Sequence, residues 1–246
     1  MLRKMLLLLL VSHLSGLQAQ DCKVLSLCRE HVEVTSQSDA ILLSEAAALV
    51  APYEACADSI MDQVLGLSRV TMSKGRPESL LGNWVADVMV EGGTATGLDP
   101  ADMGLFNLSG LRNSMPEGIV RCGDVMLISP FENYLVVLEM RGSDLLKLMK
   151  NIATVGGEGV SSSVRMEISA DGRLLSCTIG GEKIHSRRIY TVATTDYLAD
   201  GNDGMTALRK AVKRHDIGVL ARDVMMEYVL KHRIIDSKIE GRIVVK

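Results

Sequence analysis

Residues 190–204 read Tyr-Thr-Val-Ala-Thr-Thr-Asp-Tyr-Leu-Ala-Asp-Gly-Asn-Asp-Gly. The first of these are β-branched and aromatic types that favour a strand, and we predict one over Ile189–Ala193. The last four, Gly201-Asn-Asp-Gly204, have the composition of a tight turn. The two glycines allow the backbone to approach a ligand, with Asp203 between them as a hydrogen-bond acceptor. This stretch therefore combines a strand with a candidate binding loop.

Two further motifs place an aromatic ring or a cation among polar residues. Asn107-Leu-Ser-Gly-Leu-Arg112 follows a predicted strand, and Pro130-Phe-Glu-Asn133 precedes another. Aromatic residues make up only 3% of the chain, so a ring inside a polar motif is informative. Phe131 and Tyr197 are two such rings, and each offers a flat face on which a base can stack.

Composition limits the possible partners. The chain has 246 residues, of which 47% are hydrophobic, and this is typical of one globular domain or a domain plus an arm. Its net charge of −3 argues against a nucleic-acid surface, because phosphate neutralisation requires a basic excess. A single nucleotide remains possible, since one or two arginines suffice for it.

Helix and strand patterns occur in mixed order, which predicts an α+β fold with a mixed or antiparallel sheet, packed helices and a preceding helical linker arm. The predicted strands are Leu67–Met72, Met103–Phe106, Leu127–Ile128, Tyr134–Met140, Val164–Ile168, Leu174–Ile179, Ile189–Ala193 and Ile239–Val244. The predicted helices are Ser38–Leu49, Tyr53–Leu65 (with Ile60, Met61 and Val64 inward), Leu80–Val90 (ended by Gly92-Gly93), Ser143–Asn151 (capped by Ser143), Thr206–Arg214 and Ile217–Lys231. Asp171-Gly172 and Gly180-Gly181 predict hairpin turns.

The N-terminus has the pattern of a secretory signal. Two basic residues precede the apolar run Met5–Val11, and Leu17-Gln-Ala19 is a small-residue cleavage context, so we predict a signal peptide over residues 1–19. The protein is then exported, either periplasmic or secreted. The apolar run is too short to span a bilayer, and we expect no transmembrane segment. Gln20-Asp21 fits lipoprotein processing poorly, so we expect no lipid anchor at Cys22.

Together the three motifs resemble the C-terminal domain of the 5'-nucleotidase family, and the resemblance runs from about Leu49 to Gly204. It implies a nucleotide-recognition domain, which family members usually carry behind a two-metal phosphoesterase domain. We accordingly divide the chain into a signal peptide at 1–19, an N-terminal arm with linker helices at 20–66, and a 5'-nucleotidase C-terminal-like domain at 67–246.

The resemblance also implies roles for six residues in binding substrate. The expected assignments are Phe131 and Tyr197 as the stacking pair for the base, Asp203 as acceptor of the ribose hydroxyls, Asn107 at the base or ribose, Arg112 at the phosphate or ribose, and Arg76 near a second phosphate-facing arginine of the family.

Four positions depart from the family pattern. Leu108 and Ser109 replace two glycines, so side chains stand where the backbone usually lies bare against the ligand. Asn202 replaces a glycine of the acidic turn. Tyr197 replaces the more usual phenylalanine, which keeps the stacking face and adds a hydroxyl. The changes at Leu108 and Ser109 predict an altered affinity or nucleotide choice.

The metal ligands of a phosphoesterase are missing from the sequence pattern. Two-metal hydrolysis requires several His, Asp and Asn ligands. The five histidines stand at positions 13, 31, 185, 215 and 232, and none lies in an Asp-x-His, Gly-Asp-x-x-Asp or Asn-His-Glu context. The family consists of phosphoric monoester hydrolases of nucleotide catabolism, but the sequence leaves the enzymatic activity of this chain open. We expect no cofactor in this chain, and divalent metals only in a partner phosphatase.

Three interpretations follow. The preferred one is an exported nucleotide- or nucleoside-recognition domain that holds base and ribose for hydrolysis by a separate metallophosphatase chain, with the helical arm before Gly66 as a docking surface. The second is a stand-alone nucleoside- or nucleotide-binding module. The third is a degenerate interaction protein whose pocket Leu108 and Ser109 close.

Overall fold

The computed structural model describes residues 44–94 and 97–246. The chain divides into two compact units, residues 1–50 and residues 51–246. Of the first unit the structure describes only residues 44–50, which begin a helix. The predicted signal peptide, Cys22 and the predicted helix start at Ser38 lie outside the described residues.

The described residues form an α+β fold, as predicted. The α-helices, numbered in chain order, are α1 Ser44–Met61, α2 Leu80–Thr94, α3 Cys122–Ile128, α4 Gly142–Thr154, α5 Asp196–Ala199 and α6 Ala221–His232. The strands are β1 Val64–Ser68, β2 Met103–Phe106, β3 Gly118–Arg121, β4 Tyr134–Arg141, β5 Gly159–Val160, β6 Val164–Ile168, β7 Leu174–Ile179, β8 Glu182–Lys183, β9 Ile189–Thr195, β10 Lys213–Leu220, β11 Ile234–Ile235 and β12 Ile243–Val245. Short 3-10 helices cover Leu108–Gly110 and Thr206–Lys210.

A five-stranded sheet in the order β10-β4-β9-β2-β5 organises the fold. Its central strand β9 pairs antiparallel with β4, from Leu135 opposite Thr195 to Arg141 opposite Ile189. On its other side β9 pairs parallel with β2. The remaining strands form two smaller sheets, β11-β1-β3 and β12-β6-β7-β8. The described residues thus contain the mixed and antiparallel pairing that the sequence predicts.

Strand β4 is buried on both faces and joins the two hydrophobic cores. Val136, Leu138 and Met140 belong to the core that includes α4, whereas Leu135 and Val137 belong to the core that includes α2 and α6. Alternate residues of a strand point to opposite faces, so a strand between two cores is apolar at nearly every position. This explains the continuous apolar run in its sequence.

Five of the predicted strands are confirmed. Met103–Phe106, Val164–Ile168 and Leu174–Ile179 have the predicted bounds, and the strands at 134 and 189 extend to Arg141 and Thr195. The hairpin turns are also confirmed, since β6 pairs with β7 and β7 with β8 across the predicted glycines.

The arm prediction is wrong in its details. One helix, α1, runs through Pro52 and ends at Met61, where two helices were predicted. Strand β1 begins at Val64, so Val64 and Leu65, which were predicted to end the second helix, belong to a strand. Residues 51–60 are exposed, and Ile60 and Val64 face solvent although the sequence predicts them inward. Met72, predicted within a strand, forms an isolated bridge with Met115 instead.

Helix boundaries differ where tertiary packing outweighs local signals. Helix α2 continues through Gly92-Gly93 to Thr94. A Cβ at Gly92 would lie 2.3 Å from Val224 Cγ1, so this glycine permits α2 to pack closely on α6 and does not end the helix. Helix α4 begins at Gly142, directly after β4, and Arg141 occupies the cap position predicted for Ser143.

Two further predictions in the second half of the chain are wrong, and two more have shifted bounds. Leu127–Ile128 ends helix α3 and is not a strand. The predicted helix 206–214 is a 3-10 helix to Lys210 followed by β10. Strand β10 pairs with β4, and His215 Nε2 lies 2.9 Å from Glu139 Oε1 across this pair. Sheet pairing thus outweighs the helical sequence pattern of these residues. Helix α6 accordingly starts at Ala221, and the last strand is only Ile243–Val245.

In the described part of the chain, no helix has both the length and the apolar character needed to cross a membrane. Cys122 is buried and Cys177 packs against the core that includes α4. Burial raises the pKa of Cys177 to about 12, so this thiol stays protonated at neutral pH and packs as a small apolar side chain.

The close contact between β2 and α2 leads to a stability prediction. A Cβ at Gly104 would lie 2.1 Å from the carbonyl oxygen of Ala86, and a backbone atom cannot move aside cheaply. We expect Gly104→Ala to lower the free energy of unfolding by about 1–3 kcal/mol through overpacking. Urea unfolding monitored by circular dichroism measures the change.

Gly75→Ala is the matched control, because its new methyl group would meet nothing closer than Ser79 Cβ at 3.8 Å. We expect a change within about 0.5 kcal/mol for this variant. Equal losses for the two variants would contradict the close-packing argument.

Candidate functional site

The pairing of β2, β9 and β4 brings the three sequence motifs to one edge of the central sheet. Strands β2 and β9 are parallel, so the segments after Phe106 and after Thr195 leave the sheet on the same side. Strand β4 runs in the opposite direction, so the segment before Tyr134 arrives at that side too. The loop after β2 (residues 107–112, the β2 loop), the loop after β9 (residues 196–204, the β9 loop) and the loop before β4 (residues 130–133) are therefore neighbours.

These loops surround an open cleft of about 340 Å³. Five of the six predicted site residues line it, and Arg76 does not. Ser109, Gly110 and Asn133 complete the lining. The lining residues in chain order are Asn107, Ser109, Gly110, Arg112, Phe131, Asn133, Tyr197 and Asp203.

Asp203 is the centre of the polar network in this cleft. Its Oδ2 accepts hydrogen bonds from Asn107 Nδ2 at 2.7 Å and from Ser109 Oγ. Its Oδ1 accepts one from Tyr197 OH at 2.9 Å. The Asn107 amide also donates to Ser109 Oγ at 2.8 Å. One carboxylate thus joins the β2 loop to the β9 loop.

The backbone of the acidic turn is held in an uncommon conformation. Asp203 has φ 50°, in the left-handed region, and lies between Gly201 and Gly204, which both have φ 79°. For a residue other than glycine, this conformation costs on the order of 1–2 kcal/mol of conformational free energy, although aspartate adopts it more readily than most residues. Asn202 Nδ2 donates to Tyr197 O at 2.8 Å and braces the turn. Such local strain is found preferentially at binding and catalytic sites.

Opposing effects act on the ionisation of Asp203. Partial burial favours the neutral acid, but the hydrogen bonds from Ser109, Asn107 and Tyr197, with the charge of Arg76, outweigh it and hold the pKa below its usual range. Asp203 is therefore an anion at neutral pH. An anion with ordered donors is a strong hydrogen-bond acceptor.

Phe131 and Tyr197 both offer ring surface to the cleft, and each residue is 39% exposed. The guanidinium carbon of Arg112 lies 5.2 Å from the centre of the Phe131 ring, within cation–π distance. In the described ranges 44–94 and 97–246, no carboxylate forms an ion pair with Arg112. Its charge is thus available to a ligand.

The two residues that replace glycines point in different directions. Leu108 is 4% exposed and belongs to the core around α2. Ser109 is exposed, lines the cleft and bonds to Asp203. Leu108 therefore does not close the cleft, and only Ser109 adds a side chain to it.

Arg76, the sixth predicted site residue, lies outside the lining of the cleft. Its Nη2 pairs with Glu158 Oε1, and its Nε donates to Gly157 O at 2.8 Å. Glu158 Oε2 accepts from the Leu108 amide at 2.5 Å and so supports the β2 loop from behind. Burial raises the pKa of Glu158 above its usual range despite these partners.

The sequence reasoning missed two supporting acids. Glu158 stands between glycines in a segment with no recognisable motif, so nothing in the sequence pointed to it. Asp196 lies within the 190–204 stretch, but the sequence alone predicts no role for it. Its Oδ1 accepts from the Tyr134 amide at 3.0 Å and the Tyr197 amide at 2.7 Å, and it ties the start of β4 to the β9 loop.

Within the residues that the structure describes, no group of His, Cys, Asp and Glu could hold a metal ion. His215 pairs with Glu139, and His232 pairs with Glu91. These donor sets do not fit the two-metal centre of a phosphoesterase.

The fold and cleft define the chain as an α+β domain with a loop-lined polar cleft at the end of a mixed sheet. The family model described as 5'-nucleotidase, C-terminal domain, matches residues 60–210, and the chain belongs to this family. The sequence resemblance is thereby confirmed.

Individual relatives are longer than this chain. The apyrase of Tabanus yao is 26% identical over 209 residues, covering 74% of this chain and 38% of the apyrase. Protein UshA of Yersinia enterocolitica is 28% identical over 140 residues, covering 56% of this chain and 26% of that protein. The crystal structure of the 5'-nucleotidase precursor from Thermus thermophilus is similar with a TM-score of 0.71 at 27% identity, covering 82% of this chain and 43% of that one. The chain thus spans less than half the length of each.

The lowered pKa of Asp203 predicts a pH effect on stability. The pKa of Asp203 is lower in the folded state than in the unfolded state, where it is about 4. The ionised carboxylate therefore stabilises the fold fully at pH values above the unfolded pKa. This stabilisation is lost as the pH falls through the folded pKa. We therefore expect the stability difference between the wild type and Asp203→Asn to shrink as pH is lowered from 7 towards 3. Urea unfolding at a series of pH values measures it.

Glu158→Gln provides a contrast of opposite sign. The pKa of Glu158 is higher in the folded state than in the unfolded state, so ionisation of this carboxyl group favours unfolding. The wild type therefore gains stability relative to the variant as the pH falls. A difference for Asp203→Asn that stays constant over this pH range would refute the assigned role of the Asp203 hydrogen bonds.

Proposed function

We propose that the cleft binds a nucleoside or nucleotide. In this proposal the base lies between Phe131 and Tyr197, Asp203 accepts the ribose hydroxyls with Asn107 beside it, and Arg112 contacts the phosphate. The observation that carries the proposal is the convergence of these five residues, from three separate motifs, on one cleft in a chain of the 5'-nucleotidase C-terminal family.

The shape and lining of the cleft support a small aromatic ligand. Its volume of about 340 Å³ lies within the usual range for small-molecule sites. Stacking of a base on an aromatic side chain contributes about 1–3 kcal/mol, and this does not depend on which base is bound. Phe131 and Tyr197 are accessible enough to provide this surface without rearrangement of the core.

The two arginines differ in what they can offer to a phosphate. Arg112 has no carboxylate partner among the described residues and lines the cleft. Its planar fork suits paired, charge-assisted bonds to phosphate oxygens. Arg76 is already paired with Glu158, so we assign it the secondary role of supporting the β2 loop and adding positive charge near Asp203.

Calorimetric titration with adenosine and AMP tests this proposal. Loss of the stacking face in Phe131→Ala is expected to weaken both ligands by about 1–3 kcal/mol, a factor of about 5 to 150. Asp203→Ala is expected to weaken both ligands because it removes the ribose acceptor. Arg112→Gln is expected to weaken AMP more than adenosine, because only AMP carries a phosphate.

Tyr53→Ala is the matched control, since this ring is 73% exposed on α1 and does not line the cleft. We expect it to bind both ligands as the wild type does. Absence of binding by the folded wild type, or an equal loss in Tyr53→Ala and Phe131→Ala, would refute a nucleotide role for the cleft.

We further propose that the chain is exported and holds base and ribose for hydrolysis by a separate metallophosphatase chain, which provides the divalent metals. Support comes from the signal-like pattern at 1–19 and from the family, which usually joins this domain to a phosphoesterase. We expect Gln20 as the first residue of the exported protein, which N-terminal sequencing checks.

The partner part of the proposal predicts an effect on kinetics. Adding the mature chain to a candidate exported metallophosphatase should lower its KM for AMP, because the recognition domain contributes binding energy to the complex. The Asp203→Ala chain should have little effect. An unchanged KM with the wild-type chain, together with no detectable association, would favour a stand-alone binding module.

A further inference from the structure

Two hydroxyl groups already occupy the carboxylate to which the proposed function assigns the ribose. Ser109 Oγ donates to Asp203 Oδ2, and Tyr197 OH donates to Asp203 Oδ1 at 2.9 Å. One hydroxyl on each oxygen is also the arrangement in which a vicinal diol binds a carboxylate. The protein thus satisfies Asp203 with its own pair of hydroxyls.

The third donor differs from these two. Asn107 is 2% exposed, and its amide is fixed by bonds to both Asp203 and Ser109. Ser109 and Tyr197 are exposed at the cleft, and a hydroxyl can rotate to another acceptor or to water. The hydrogen bond to Asp203, with smaller contributions from burial and the Asp203 charge, raises the pKa of Tyr197, so its OH remains a donor at neutral pH. The hydroxyl pair is therefore the replaceable part of the network.

We propose that Ser109 and Tyr197 determine the sugar specificity of this cleft, making it tolerant of both ribose and 2'-deoxyribose. This inference rests on the proposed function, since it takes Asp203 as the sugar acceptor. A bound ribose replaces both protein hydroxyls. A bound 2'-deoxyribose replaces one of them, and the other stays on its carboxylate oxygen.

The physical reason is the cost of an unpaired acceptor. A site built to bond a ligand hydroxyl rejects an analogue that lacks it mainly because the polar group of the site is left without a partner. Here the protein hydroxyl keeps that partner in place, so the analogue suffers little penalty. The same competition weakens ribose binding, because the ligand hydroxyls exchange with existing bonds and add few new ones.

The experiment is calorimetric titration of adenosine and 2'-deoxyadenosine into the wild type and into the Ser109→Ala/Tyr197→Phe double variant. The phenylalanine keeps the stacking ring and removes only the hydroxyl. We expect the wild type to bind the two ligands within about threefold of each other, and the double variant to bind adenosine about tenfold more tightly with a preference over 2'-deoxyadenosine of about tenfold.

Ser162→Ala/Tyr53→Phe is the matched control, because it removes the same two groups from exposed residues that do not line the cleft. It should reproduce the wild-type affinities. A second measurement needs no ligand: the pKa of Asp203, followed by carboxyl-carbon NMR, should rise in the double variant because two bonds to the ionised form are removed.

The outcomes separate this inference from the proposed function. Adenosine binding by the double variant that is equal to or weaker than in the wild type would overturn the inference alone, as would a wild type that already strongly prefers adenosine. If neither protein binds either nucleoside, the proposed function fails and the inference fails with it. Binding by the double variant and not by the wild type would support both.

Discussion

The parallel pairing of β2 with β9 is the constraint on which the site depends. Met103 lies opposite Val192 and Gly104 opposite Ala193, and this register sends the two following loops out at one edge of the sheet. Gly104 is required at that point because Ala86 of α2 lies directly against it. A side chain there would separate helix from sheet and displace Asn107, three residues further along. The core and the cleft are therefore coupled through one close backbone contact.

The network around Asp203 shows how this constraint is used. The turn at 201–204 carries positive φ angles that cost free energy, and the carboxylate it presents is held by donors from the β2 loop and the β9 loop. Strain in the turn is tolerated because charge-assisted hydrogen bonds across the loops offset it. Glu158 and Arg76 support the same β2 loop from its other side. The Asp203 carboxylate is thereby held in a fixed position between the two loops.

The sequence predicted the residues of the cleft better than it predicted the elements that carry them. Phe131 and Tyr197 stand out because aromatic residues are scarce in this composition, whereas the role of Asp203 was predicted from the family resemblance. Strand β10 and helix α3 were missed because sheet pairing and packing override local propensity. Glu158 could not be found, since its role depends on a contact with Leu108 that joins positions 50 residues apart. Long-range contacts of this kind leave no local pattern.

The two substitutions in the β2 loop explain why a departure from the family pattern does not close the cleft. Successive side chains of a 3-10 helix are about 120° apart, so neighbours at 108 and 109 point to different sides. Leu108 faces the core and packs against Gly82. A Cβ at Gly82 would lie 3.0 Å from Leu108 Cδ2, so the absence of a side chain at Gly82 leaves room for the leucine. Ser109 faces the cleft and finds its acceptor in Asp203. One substitution therefore adds to the core and the other changes the chemistry of the cleft, so a count of lost glycines overstates the change in the available space.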